Sequence, residues 1–176
     1  MRIPARCWLA AASLLAAAGC ARVPDSYPSP EQHEPFRTAV SSSTEFANFA
    51  DPLTSSFIVK DVLGTEAGPW RWTRAEPELK FVLSSTHNRT LYCEFSINER
   101  TFQDTGPVTI SFYVNGGRAG EETYTSTGDK QFEKLIPPDW LRAGEETRVL
   151  IRVHNVFKNP DGSVLGVLLR RAGFIE

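Results

Sequence analysis

The side chains from which this sequence could build a reactive centre are few. Its histidines are His33, His87 and His154, and its cysteines are Cys7, Cys20 and Cys93. No pair stands at metal-ligand spacing, and no His-Glu or Cys-Cys metal motif occurs. A Gly-x-Ser-x-Gly nucleophile elbow and a phosphate-cradling loop are also missing. Glycoside hydrolysis needs two carboxyl groups facing each other across a cleft. The acidic pairs here, Glu121-Glu122 and Glu145-Glu146, read instead as solvated surface. In LYCEFSI, Cys93 alternates with Leu91, Phe95 and Ile97, which predicts a buried structural thiol rather than a nucleophile. The sequence therefore reads as a protein with no catalytic residues, no metal and no cofactor.

Binding chemistry is better represented. In GPWRWTRAEPEL (68–79), Trp70 and Trp72 flank one arginine. Side chains two apart on an extended chain share a face. Two indoles on one face can hold a sugar ring, whose C–H groups form an apolar surface. They can equally fill a sandwich core, and the polar Arg71 and Thr73 between and beyond them suit an outer face. That favours the core for at least one indole. A second candidate comes from the outward positions of three alternating strands. If Leu91, Val108 and Val149 and their period-two partners point inward, then Tyr92, Glu94, Tyr113, Arg152 and His154 point outward. Should the three strands be neighbours, one sheet displays all five. Such a mixture of aromatic and hydrogen-bonding groups suits a glycan, and suits an ordinary solvated sheet as well.

The elements that must position these residues are mostly strands. Period-two runs cover 57–62, 70–73, 78–84, 89–98, 108–115, 123–127, 130–136, 148–156 and 164–170. Turn residues bound them, among them Thr105-Gly106-Pro107, Asn115-Gly116-Gly117, Gly128-Asp129 and Asn159-Pro160-Asp161-Gly162. Short strands at this spacing, with no long helical stripe, predict an all-β sandwich. Two helical pieces are expected. Ser42 and Glu45 form a capping-box pattern that predicts a short helix in 41–51, pinned by Phe46 and Phe49. PPDWLRAG (137–144) predicts one helical turn, opened by proline and closed by Gly144.

The first twenty residues are of another kind. Arg2 and Arg6 precede an apolar run from Trp8 to Ala18, too short to span a bilayer and suited to a secretory signal peptide. Ala17-Ala18-Gly19-Cys20 resembles the lipobox of bacterial lipoproteins, although the position usually held by leucine is Ala17. That resemblance implies acylation of Cys20 and a membrane partner through the lipid. Ala16-x-Ala18 also fits an ordinary signal peptidase. Ala21 in place of aspartate implies, by the same resemblance, sorting to the outer membrane. The next stretch, ARVPDSYPSPEQHEP, is too poor in apolar residues to fold and reads as a tether. The expected organisation is a signal peptide at 1–19, lipidated Cys20 with its tether at 20–40, a short helical or irregular lead-in at 41–56, and a β-sandwich at 57–176. With Cys7 removed and Cys20 acylated, Cys93 has no internal disulfide partner. The whole chain carries a formal charge of −2, and without Arg2 and Arg6 the balance is 17 basic against 21 acidic residues. No basic stripe is present, which argues against nucleic acid as a partner.

VTISFYVNGG and FEKLIPPDWLRAGEETRVLIRV resemble the running pattern of galactose-binding-like jelly-roll domains. With GPWRWT and DGSVLGVLLRRAGF, the resemblance extends to a sandwich appended to bacterial glycosyltransferases and methyltransferases of envelope polysaccharide synthesis. It implies a jelly-roll fold in a sugar-related setting, often with ligands at the loops of one end, and brings no catalytic residues. The function expected is a lipid-anchored, non-catalytic binding or accessory module, with a surface polysaccharide as partner. The alternatives are a structural or assembly lipoprotein that binds an envelope protein through a sheet edge, and a weak hydrolase.

Overall fold

The computed structural model describes residues 44–64 and 68–176. The signal segment, Cys20, the tether and Ser42 lie outside them. The strands are β1 (Phe46–Asn48), β2 (Ile58–Val62), β3 (Arg71–Val82), β4 (Thr90–Ile97), β5 (Val108–Val114), β6 (Gly117–Tyr124), β7 (Gly128–Leu135), β8 (Glu146–Val153), β9 (Phe157–Lys158), β10 (Val164–Leu165) and β11 (Leu168–Ile175). One helix, α1 (Glu99–Thr105), and 3-10 turns at Pro52–Phe57 and Pro138–Trp140 complete the described elements.

The ladder runs β6-β5-β8-β3-β11-β4-β7, with β2 added to β3 and β1 to β11. Strand β3 belongs to both halves. Its opening residues, Arg71 and Trp72, pair with Leu169 and Leu168 of β11, whereas Glu78 to Val82 pair with β8. Pro77, which has no N–H to donate, lies between these two stretches of pairing. The halves then face each other. Phe112 of β5 stacks on Phe132 of β7 at 3.7 Å between ring centroids, and Phe95 of β4 meets Tyr124 of β6 edge-on at 5.3 Å. Phe81 of β3 meets Phe174 of β11 at 5.7 Å. The architecture is the expected jelly-roll β-sandwich.

Alternation sets the core. Leu91, Cys93, Phe95 and Ile97 on β4, Val108, Ile110, Phe112 and Val114 on β5, and Val149, Ile151 and Val153 on β8 are all buried, as the period-two pattern predicts. Burial among apolar neighbours pushes the Cys93 thiol far up, so it stays protonated and inert, as expected.

Three segments differ from expectation. Of the predicted helix over 41–51, residues 41–43 lie outside the described residues, and 44–51 form β1 with turns on either side. Phe46 pairs with Gly173, and the Glu45 carboxylate accepts from the Ser84 N–H instead of capping a helix. Strand pairing satisfies these backbone groups more fully than one isolated helical turn could. Gly173 permits the approach of β1, since a Cβ there would collide with the Glu45 carbonyl. Helix α1 was not expected. Asn98 caps it, its side chain accepting from Arg100 N–H at 2.9 Å, and Gly106 closes it at φ 67°. Finally, β3 is one strand across Pro77 rather than two.

Candidate functional site

The predicted site residues fall into two groups, because β4 lies in the opposite half from β5 and β8. It pairs with β11 and β7, while β5 pairs with β8. The condition for a single five-residue display, three neighbouring strands, is therefore not met. Tyr92 and Glu94 stand on the outer face of one sheet, and Tyr113, Arg152 and His154 on the other.

On the second face, register builds a hollow. Tyr113 of β5, Leu150 of β8 and Glu78 of β3 lie side by side, because Tyr113 pairs with Leu150 and Leu150 with Glu78. A bulge between Phe112 and Tyr113, relative to β6, re-aims the tyrosine. Arg152 lies over the Tyr113 ring at 5.4 Å, a cation–π distance. Its Nε donates to Glu76 at 2.8 Å. Arg148 Nε donates to Glu146 at 2.5 Å and its Nη1 to Glu78 at 3.3 Å. The Glu146 hydrogen bond is the chief reason the Arg148 guanidinium binds its proton more tightly than usual. Glu78, Tyr113, Gly116, Arg148, Leu150 and Arg152 line a hollow of about 360 Å³. Its floor is aromatic and aliphatic, and its rim is guanidinium and carboxylate.

His154 sits beyond the end of β8, outside the hollow's lining. Ser111 Oγ donates to Glu121 at 2.6 Å and lies 2.8 Å from His154 Nε2. A hydroxyl has one proton, so with that proton on Glu121 the imidazole Nε2–H must be the donor to Ser111. The hydrogen bond from Ser111, then the one from Arg118, hold the Glu121 carboxyl below its usual range. This is not a nucleophile's geometry. Ser111 is fully buried, and Glu121 faces the same ring nitrogen as the serine rather than the far one.

On the first face, Glu94 is fully engaged. It accepts from Arg171 at 2.7 Å and from the Tyr92 hydroxyl at 3.2 Å, and pairs with Arg170 at 3.4 Å. Tyr92 also meets Phe46 at 5.8 Å. These contacts orient both predicted residues as parts of one charge-paired surface.

The tryptophans reverse the sequence expectation. Arg71 is 5% exposed and Thr73 is fully buried, so these point inward. Trp70 and Trp72 are half-buried on the outside and belong to no part of the main core cluster. Thr73 is accommodated because its hydroxyl donates to the Val167 carbonyl at 3.1 Å and accepts from Val167 N–H at 3.0 Å. The Arg71 guanidinium reaches Ser55 Oγ at 3.5 Å. Counting back by twos from Leu79 through Pro77 would have found this register. Glu76, Glu78 and Arg148 were also missed. Their signal was the same period, obscured for Glu76 where β3 was broken at Pro77 and open to reading for Glu78 and Arg148, which stand in the expected runs 78–84 and 148–156.

Among the described residues no cluster of three His, Cys, Asp or Glu side chains could hold a metal, and no helix is long and apolar enough to cross a membrane.

No family model matches the chain, and no curated protein matches it. Among solved structures it is similar to a family 35 carbohydrate-binding module from an environmental isolate, with TM-score 0.47, 10% identity, and 74% of this chain and 92% of that one covered. It is similar also to the CBM36-1 domain of a multidomain xylanase from the hindgut metagenome of Trinervitermes trinervoides, with TM-score 0.45, 9% identity and coverage of 74% and 95%. A third is a family 35 module from Cellvibrio japonicus, with TM-score 0.40, 12% identity and coverage of 74% and 91%.

Proposed function

We propose that this chain is a lipid-anchored protein of the bacterial outer membrane whose β-sandwich binds cell-surface polysaccharide without cleaving it. The observation that carries the reading is the hollow around Tyr113. A saccharide presents apolar C–H patches ringed by hydroxyls that both donate and accept. The Tyr113 ring and Leu150 answer the first, and guanidiniums held by Glu76, Glu78 and Glu146 answer the second. Because each cation already has a carboxylate beside it, these donors and acceptors are fixed in place before a ligand arrives. The protein-partner reading is less well supported. The edge strands carry Arg118, Glu121 and Glu122 on β6 and Lys130, Glu133 and Lys134 on β7, charges that oppose strand addition.

The test is affinity electrophoresis of the full-length protein through gels containing purified lipopolysaccharide or capsular polysaccharide. Tyr113→Ala is expected to weaken retardation at least tenfold, or about 1.4 kcal/mol. Tyr113 is half-buried, so its truncation should cost no more than about 1–2 kcal/mol and leave the domain folded, which the urea midpoint checks. Unchanged retardation would remove the hollow as the site. Absence of retardation, together with one stoichiometric protein co-purifying from detergent, would replace the glycan by a protein partner.

The anchor rests on the residues before and at Cys20. Cys20→Ala should abolish incorporation of labelled palmitate and leave an unprocessed precursor. Label retained by the variant would refute acylation at that cysteine.

A further inference from the structure

Trp70 and Trp72 stand at right angles, their ring planes 78° apart and their centroids separated by 6.3 Å. They face outward from the start of β3, on the sheet opposite to the Tyr113 hollow. Register extends the surface from them. Trp72 lies beside Leu168, Leu168 beside Ser96, and Ser96 beside Asp129, one residue from each of β3, β11, β4 and β7. Leu168 is only 7% exposed yet stands outside the main core cluster, so its cover is on the outer face. The indoles and Leu168 form an apolar step, and polar groups continue directly from it. Arg170 Nη1 donates to Asp129 at 2.6 Å, and Arg170 and Arg171 hold Glu94 in the adjoining row. Four strands at about 4.8 Å spacing make this row about 14 Å long.

We propose that this row is a second binding site, for an uncharged polysaccharide. Two perpendicular indoles make a corner in which one ring stacks on the C–H face of a pyranose and the other lies against its edge. The hydroxyls then meet Ser96, Asp129 and Arg170. The ligand is uncharged because the polar part of the surface is balanced, two carboxylates against two guanidiniums, and leaves no net charge for an acidic sugar to neutralise. A protein partner fits less well. Among the described residues the exposed large apolar side chains are Leu53, Val59, Val82 and Leu135, and none stands in this row. A protein interface would need a contiguous apolar centre rather than one indole corner bordered by ion pairs. The site is independent of the Tyr113 hollow and holds whether or not that hollow binds.

The experiment is affinity electrophoresis of the full-length protein in detergent, through gels containing hydroxyethylcellulose, galactomannan or dextran, with polygalacturonate as the anionic comparison. Retardation is expected in at least one of the three neutral gels. Trp72→Ala should weaken it at least tenfold, Trp72→Phe should keep part of it, and Leu53→Ala, at an exposed side chain outside both sites, should leave it unchanged. Asp129 is 66% exposed on its side chain, so Asp129→Ala keeps the fold and should weaken retardation about threefold. In the parent, the neutral polymer should shift tryptophan emission to shorter wavelength as it covers the indoles. No retardation in any neutral gel overturns the proposal, as does retardation by polygalacturonate alone. Where Trp72→Ala fails to fold, full retardation of both Trp72→Phe and Asp129→Ala also overturns it. Loss of binding in Tyr113→Ala with none in the tryptophan variants assigns the sugar to the hollow and removes this site alone.

Discussion

Phe112→Ala is expected to cost about 3–5 kcal/mol of stability, the range for truncating a fully buried aromatic. Phe112 is where the two halves of the sandwich meet. Its ring stacks on Phe132 at 3.7 Å and 7°, and meets Phe95 at 6.3 Å, so it joins β5 to both β7 and β4. Truncation leaves a void between two sheets that are tied together through β3 and cannot close over it. Aromatic pairing adds about 0.5–1.5 kcal/mol beyond area, which places the expected loss in the upper part of that range. Domains of this size are stable by about 5–15 kcal/mol, so the variant should lose about a quarter or more of its stability. The measurement is the urea midpoint by fluorescence, with Phe112→Leu as the partner variant that refills most of the volume. A loss below about 1 kcal/mol for the alanine variant would mean that the sheets are held elsewhere.

Phe112 was legible from the sequence, and the reason is local. Val108, Ile110, Phe112 and Val114 alternate without interruption, so their inward face follows from the pleat alone. The tryptophans were not legible in the same way. Apolar character argued them inward, but the phase of β3 is fixed further along, by Leu79, Phe81 and Leu83, and carried back through Pro77. One residue of phase exchanges every side chain between faces, so Arg71 and Thr73 went in and both indoles came out. Thr73 is paired by a partner distant in sequence. The Val167 backbone that receives Thr73 lies 94 residues away, beyond any local pattern. The predicted site divided for a related reason. Alternation tells which residues face out but not which strands are neighbours. Here β11, the last strand, inserts between β3 and β4, and so places Tyr92 and Glu94 on the opposite face from Tyr113. Helix α1 differs from both cases, since Asn98 and Gly106 are ordinary capping signals at its two ends and could have been read directly.

Glu45→Gln is expected to cost about 2–3 kcal/mol at pH 7, with the loss fading as the pH falls. The Glu45 carboxylate accepts from Ser84 N–H at 2.5 Å and pairs with Arg89 at 3.2 Å, tying the start of β1 to the β3–β4 connection. Arg89 is 4% exposed, and its remaining contacts are neutral acceptors at Ser84 and Ser85 and the Glu176 carboxylate at 3.4 Å, itself 76% exposed. Glutamine keeps an acceptor for Ser84 but removes the charge, leaving a buried guanidinium with only a solvated partner. The cost stays below that of a fully orphaned buried charge because Glu176 remains. Burial acts to raise the Glu45 pKa, but the hydrogen bonds from Ser84 and the Arg89 charge outweigh it and hold the carboxyl below its usual range. The unfolded chain therefore binds this proton more readily than the folded one. The stabilisation is complete above the ordinary glutamate pKa of about 4.3 and is lost as the pH falls through the lower folded value. Glutamine does not titrate, while every other carboxylate is common to both proteins. The difference in urea midpoint between parent and variant thus isolates Glu45, and should shrink between pH 5 and pH 3. Glu176→Gln, on an exposed partner, should change stability by no more than about 0.5 kcal/mol at any pH in that range. A parent–variant gap that stays constant down to pH 3 would mean that glutamine disturbs packing around Ser84, and that the Glu45 charge does not hold Arg89.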